Sequence, residues 1–352
     1  MPPTSNRRRK SSPTRRKSSP TRRGSTVDRA TIREVIRYPI KGFSGEPLAA
    51  GAPVHTAGGL PNDRRFALLN ADVDSKLAQA WLHKSNFLCS FSHPELVNHH
   101  RTSFKDHELE LHVENLGPPV PKFPQSFACR LATMKGRRAL ERYFTAARGA
   151  GVMLIDGGTT RQFGNTNVQA ATSTPACLHL VNVATTDALS SAAGTPIDAR
   201  RLRPNLILTG LDAWAEFGWV GKRIRVGSDV TLQVYKRTIR CGGIGLWGPG
   251  GRGDDEARQH RCGDDGAELD VPGLLAAHFP EHGPYCGVYA VVERGGTICP
   301  GDEVEVLADE PDEAAAAPRA LVVRTVLWWV VFVCVHGLLS FYAVKALVHA
   351  LS

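Results

Sequence analysis

The chain has 352 residues, 42% apolar and 22% charged, which excludes wholesale disorder, a collagen-like fibre and a pure membrane bundle and suffices for one large or two ordinary domains. Its net charge of +9 arises from 43 Lys and Arg against 34 Asp and Glu, yet nine of the basic residues and no acidic one lie before Val27. The remainder is neutral, so no nucleic-acid partner is expected, since such a partner calls for a basic excess on the folded body.

Met1 to Thr26 contains no Val, Leu, Ile or aromatic residue and repeats the unit Lys10-Ser-Ser-Pro-Thr-Arg-Arg16 as Lys17-Ser-Ser-Pro-Thr-Arg-Arg23. A segment that cannot bury apolar surface is expected to be a disordered, solvated tail, with contact to anionic lipid as the alternative use of its charge. From Val27 the pattern is mainly short strands with turn punctuation: Thr31–Tyr38, Arg65–Leu69, Leu109–Val113, Val152–Ile155, Leu206–Thr209, Lys222–Val226, Thr231–Tyr235, and the pair Val288–Glu293 and Glu303–Leu307 joined across Gly295-Gly296. Helical spacing marks Lys76–Trp81, Met134–Ala147, Thr185–Ala192 and Pro272–His278. Many strands without βαβ alternation predict a mainly β (α+β) protein of barrel type rather than a doubly wound sheet. The expected division is a tail over 1–26, a first β-barrel domain over 27–165, a second over 166–308, and an acidic, Ala- and Pro-rich linker over 309–320. Thr325 to Val344 then runs 20 residues without Asp, Glu, Lys or Arg, and a transmembrane helix over 321–347 is expected, long enough for a bilayer core at helical rise. With few residues after it, the reading is a tail anchor. Arg319 and Arg324 against Lys345 favour a body facing the cytosol.

Several motifs have bland explanations. Gly248-Pro-Gly-Gly-Arg-Gly253 satisfies GxGxxG but is followed by Asp254-Asp255-Glu256, whose charges oppose a phosphate. His278, His282 and Cys286 have the spacing of helical metal ligands, but Pro280, Gly283 and Pro284 interrupt the helix that would give the spacing meaning. Eight cysteines lie scattered without a CxxC pair, as expected of mostly reduced thiols.

Other motifs form an ordered series: Tyr38-Pro-Ile-Lys-Gly42, Gly59-Leu-Pro-Asn-Asp-Arg-Arg-Phe66, Arg201-Leu-Arg-Pro-Asn205, Arg240-Cys241, Cys286-Gly-Val-Tyr-Ala290 and Gly295-Gly-Thr-Ile-Cys-Pro-Gly-Asp302. From Val27 to Leu307 this series resembles MOSC-domain proteins, named for the C-terminal domain of molybdenum cofactor sulfurase. It is most similar to the two-domain form, the mitochondrial amidoxime-reducing component and its bacterial relatives. The resemblance implies an N-terminal MOSC-type β-barrel followed by a MOSC β-barrel. It also implies a pterin molybdenum cofactor (molybdopterin) whose metal takes one protein thiolate, a soft donor suited to molybdenum. Cys241 matches that ligand, and so the catalytic position. Lys41, Arg64, Arg203 and Asn205 match cofactor contacts, the cations for phosphate and the Asn205 amide for pterin edges. Ser173 and Thr174 fall where the family places two hydroxyl contacts. Three features depart from the pattern: Gly42 replaces a hydroxyl or small polar residue, Ile239 replaces serine, and a Gly-rich acidic stretch follows Cys241.

The resemblance implies a molybdenum oxidoreductase that reduces small N-oxygenated substrates by oxygen-atom transfer, and the apolar run Thr325 to Val344 makes it membrane-anchored, at the C-terminus where the amidoxime reducers have an N-terminal anchor. No haem or flavin motif is visible, so electrons are expected from a cytochrome b5-type heme protein and its reductase, with the anchor in the outer mitochondrial membrane or the endoplasmic reticulum. Alternatives are a cofactor carrier or sulfur-transfer module without turnover, and a membrane adaptor with a decayed site.

Overall fold

The computed structural model describes residues 30–56, 58–76, 82–158, 161–164, 176–245 and 268–308. The basic repeat, the Gly248–Gly253 motif, Ser173, Thr174 and the expected transmembrane helix lie outside the described residues, as does the Lys76–Trp81 helix except for Lys76. Among the described residues no helix is long and apolar enough to cross a membrane.

Seven strands close into a barrel: β1 (Ala30–Arg37), β10 (Leu178–Asn182), β11 (Leu206–Thr209), β12 (Arg223–Val226), β13 (Val230–Ile239), β14 (Tyr285–Arg294) and β16 (Glu303–Val306). They follow the order β11-β10-β14-β13-β12-β16-β1, and antiparallel pairing of β1 with β11 joins the ends. Alternation along β12 and β13 turns Ile224, Val226, Val230, Leu232 and Val234 inward, where they meet Ile32, Leu180, Leu208 and Val288. The pair β10–β11 is parallel and therefore needs a crossover, supplied by a helix, Val183–Ala193. That helix and a second one, Val271–His278, cover the outer side of the pair, so every residue of β10 is buried.

The segment from Phe66 to Asp156 is built differently. β4 (Phe66–Asn70) lies between β5 (Phe87–Leu88) and β9 (Val152–Asp156), while β6 (His100–Lys105), β7 (Glu110–Asn115) and β8 (Ser126–Arg130) form a meander. Between the two sheets packs the helix Met134–Arg148, which Thr133 caps at its start and Gly149 ends in a left-handed conformation. It buries Leu140, Tyr143 and Phe144 against Phe43, Phe66, Leu111 and Val113. The expected first β-barrel is therefore two three-stranded sheets among the described residues, because this helix fills the space that ring closure would need.

Two further sequence expectations change. Val288–Glu293 and Glu303–Leu307 do not pair: β14 lies against β10 and β13, and β16 against β12 and β1, because barrel closure inserts two strands between them. Between them, β15 (Gly296–Ile298) instead pairs with β3 (Ala52–Val54). β13 also runs to Ile239, beyond the expected Tyr235, through register shifts at Val234/Lys236 and Arg237/Ile239 that break its alternation. That extension delivers Arg240 and Cys241 to the barrel rim.

Candidate functional site

The site starts where β1 stops. Pro39 cannot donate to the ladder, and the chain turns at Gly42, whose φ is +82°. A Cβ on Gly42 would lie 2.3 Å from Cys89 Cβ, so the glycine lets the 84–92 segment close over the turn. This gives the departure from the family's hydroxyl a steric reason. Tyr38, ahead of the turn, is buried, and its ring carries two guanidinium groups, Arg64 and Arg203, each 4.4 Å from the centroid.

Both arginines sit at left-handed backbone positions, φ +48° for Arg64 and +58° for Arg203, an uncommon conformation for a residue with a Cβ. Their side-chain bonds account for it. Arg64 donates from Nη1 to Asp63 Oδ2 (2.6 Å) and Asn205 Oδ1 (2.9 Å), and from Nη2 to the Arg203 carbonyl (2.9 Å). Arg203 donates to the Phe43 carbonyl. Lys41 reaches the same region: its Nζ is 5.2 Å from the Phe87 centroid and 3.5 Å from the Phe163 carbonyl.

The electrostatics show what is missing. Burial holds the Lys41 ammonium below its ordinary value, and the neighbouring Arg203, Arg64 and Arg161 push the same way. Burial, with Arg64 adding to it, brings Arg203 down to about 10. For Arg64 burial pulls the same way, but the Asp63 carboxylate outweighs it and the guanidinium stays above its usual value. Of these three inward cations, Arg64 alone forms an ion pair with a carboxylate among the described residues, the fully buried Asp63. The Tyr38 hydroxyl beside them is buried with no hydrogen-bond partner among the described residues. An anion would relieve the charge excess, and its oxygens could accept from that hydroxyl.

Asn205 braces Arg64. Its side chain is fully enclosed: Oδ1 accepts from Arg64 Nη1 and from the His179 N–H (3.1 Å), and Nδ2 donates to the Ile36 carbonyl (3.1 Å). It fixes Arg64 against β1 and β10. His179 extends the brace. A carbonyl only accepts, so Nδ1 at 3.2 Å from the Arg203 carbonyl carries the proton, and burial keeps the ring neutral by lowering its pKa well below the usual value.

Cys241 stands at the rim, exposed, at the start of the 242–244 turn. Burial alone would raise its thiol pKa, but the adjacent Lys84 ammonium, the Gly243 N–H and Arg240 together lower it, favouring thiolate. Two links tie it to the cation cluster. Arg240 donates from Nη1 and Nη2 to the Leu202 carbonyl (3.2 and 3.1 Å), one residue from Arg203. On the other side Cys89 donates to the Lys84 carbonyl (3.5 Å), and its thiol acts electrostatically on Lys41 and Arg203. Arg201 anchors the following loop through the Ile244 and Gly245 carbonyls, and Arg200 pairs with Asp198 at 2.7 Å. The three consecutive contributions of Arg200, Arg201 and Arg203 are therefore distinct.

Of the residues expected from sequence, Lys41, Arg64, Arg203 and Asn205 converge, Cys241 joins them through these links, and Ser173 and Thr174 lie outside the described residues. Sequence reading missed Asp63, His179 and Lys84. Asp63 was signalled by its adjacency to Arg64, whereas nothing in the sequence singled out the other two. The spaced His278, His282 and Cys286 have separate surroundings: His278 ends its helix, His282 stacks on Trp214 at 4.4 Å, and Cys286 is buried in β14.

Residues 167–305 match the family model described as MOSC domain. No curated protein matches. Among solved structures, the YuaD protein from Bacillus subtilis aligns with 14% identity and a TM-score of 0.36 over 80% of this chain and 97% of its own. YiiM from Geobacillus stearothermophilus aligns with 18% identity and a TM-score of 0.26 over 38% of this chain and 56% of its own. Residues 167–305 thus match the MOSC domain, which is associated with molybdenum cofactor binding.

Proposed function

We propose that this MOSC-domain protein binds the molybdenum cofactor, with Cys241 as the protein ligand to the metal, and reduces small N-oxygenated substrates by oxygen-atom transfer. The observation that carries the reading is the pairing of an exposed, thiolate-favoured Cys241 with a buried cluster of Lys41, Arg64 and Arg203 in which, among the described residues, only Arg64 pairs with a carboxylate. That donor set fits the group: a soft anionic sulfur for the metal, and Lys41, Arg64 and Arg203 for the phosphate. When bound, the group supplies a metal that cycles between Mo(VI) and Mo(IV) and accepts the oxygen atom.

The chain's own residues do the positioning. Asp63 and Asn205 fix the Arg64 fork, and His179 holds the Arg203 carbonyl, so the cluster is arranged before any ligand arrives. Arg240 and Arg201 set the height of the Cys241 loop above it. Ser173 and Thr174 would add hydroxyl donors. A cytochrome b5-type heme protein and its reductase would supply electrons. The apolar run Thr325–Val344 would anchor the body on the cytosolic face of the outer mitochondrial membrane or the endoplasmic reticulum. The same exposed thiolate also suits a second reading, a sulfur-transfer or carrier module, because a thiolate is the form that accepts sulfur as well as metal.

The test is molybdenum per chain by mass spectrometry for full-length protein from a cofactor-producing host, with Cys241→Ala alongside, followed by benzamidoxime reduction with an electron donor. Near-stoichiometric metal that becomes labile in the variant, together with turnover, is the expected outcome. Metal without turnover would favour the carrier, and metal-free wild type from a host that loads a control enzyme would refute both.

A further inference from the structure

We propose that Lys84, held against Phe91 beside Cys241, selects substrates that carry a negative charge close to their reacting atom. The inference rests on Cys241 being the reactive centre and adds the substrate's charge class to that reading.

Lys84 opens the short 84–86 turn, and its Nζ lies 3.6 Å from the Phe91 ring centroid, with the His83 ring edge-on to the same phenyl. Phe91 in turn packs on the Cys241 loop: a Cβ on Gly243 would fall 3.2 Å from Phe91 Cβ. The aromatic ring therefore acts as a bracket that carries the ammonium from the 84–92 segment to the sulfur. Among the described residues, the side-chain charges acting on that sulfur are Lys84 and Arg240, both positive. Arg240 is committed to the Leu202 carbonyl, whereas Lys84 forms no ion pair with a carboxylate among the described residues. Lys84 thus keeps donors for an incoming group.

Among the described residues, two exposed side chains near the cysteine are apolar. Ile239, two residues before the cysteine, is 62% exposed, and Phe91 is 39% exposed. A cation on a ring edge next to apolar walls fits a small molecule with a carboxylate or other oxyanion near the atom that meets Cys241 and an apolar remainder. Ile239 replaces the serine of the amidoxime reducers, consistent with a different substrate preference on this side.

Cofactor-free full-length chain permits a test through the thiol itself. Iodoacetate and iodoacetamide alkylate sulfur by the same displacement of iodide but differ in charge, so the thiolate fraction cancels in their rate ratio. The ratio at the Cys241 peptide is read by mass spectrometry in wild type, Lys84→Gln and Lys84→Arg. The iodoacetate preference is expected to fall about fivefold in Lys84→Gln, the factor for one unit charge at about 4 Å in water. It should survive in Lys84→Arg and collapse in 1 M salt. An unchanged ratio in Lys84→Gln, with circular dichroism confirming the fold, would overturn the inference. An intact charge preference in a chain that takes up no molybdenum would refute the proposed function alone, and full metal loading without the preference would refute this inference alone.

Discussion

Glu216 offers the sharpest test of how burial governs this fold. It sits in the turn Ala215–Trp219 with no solvent exposure, and its carboxylate accepts from Thr185 Oγ1 (2.9 and 3.1 Å) and Asn182 Nδ2 (3.5 Å). Asn182 caps the helix Val183–Ala193, so the carboxylate lies at a helix N-terminus, where the dipole favours negative charge. Burial nevertheless wins over the dipole and these bonds, and the carboxyl is pushed from 4.5 up to about 7. Below pH 4.5 the group is protonated in both folded and unfolded chains, and its contribution to stability is fully present. Between 4.5 and 7 only the folded state holds the proton, so stability falls as pH rises, by about 3 kcal/mol in total at 1.36 kcal/mol per unit. Above 7 the loss levels off. Glu216→Gln mimics the protonated form, since the Thr185 hydroxyl can accept from the new amide as readily as it donates. Thermal melts followed by circular dichroism from pH 4.5 to 8 should show the wild type losing roughly 6 °C relative to Glu216→Gln, at about 2 °C per kcal/mol for a body of this size. Parallel curves for the two proteins would show that the buried carboxylate titrates normally and that the burial argument is wrong.

His100 has the opposite sign. Its Nδ1 faces the Leu96 carbonyl (2.8 Å) and its Nε2 the Tyr143 hydroxyl (2.9 Å), and burial brings its pKa from 6.5 down to about 4. Stability from this group is present above pH 6.5 and is lost as pH falls through 4, and its ring resonances in an NMR titration should move near pH 4; a midpoint near 6.5 would contradict the buried assignment. Gly42→Ser, which restores the family's small polar residue, should destabilise the protein by roughly 2 kcal/mol in urea denaturation, because the new Cβ meets Cys89 at 2.3 Å on a backbone with φ +82°. A neutral or stabilising effect would show that the 84–92 segment is not closed over the turn.

What the sequence could and could not specify follows the range of the interactions involved. The strand from Val152 and the helix from Met134 were legible because alternation and 3.6-residue spacing are local and each element buries one face, whereas Leu206–Thr209 showed as a short apolar run between turn residues. β10 was not legible, since a strand covered on both faces shows no alternation. The end of β13 was hidden because Lys236 and Thr238 stand where the alternation begun by Val230, Leu232 and Val234 would require apolar residues.

For the site, the ordered motifs brought Lys41, Arg64, Arg203, Asn205 and Cys241 to attention before any fold was known. The sequence also fixed their chemistry, cations and one soft sulfur in a body that is otherwise neutral. Only the tertiary structure decided their roles. It turned Asn205 inward as a brace for Arg64, made Asp63 the single buried counter-charge, and carried Lys84 on the Phe91 ring to the side of Cys241. The roles of Asn205 and Lys84 depend on contacts between segments more than 100 positions apart, and no local pattern encodes which side chain a closing barrel will bring within reach of another.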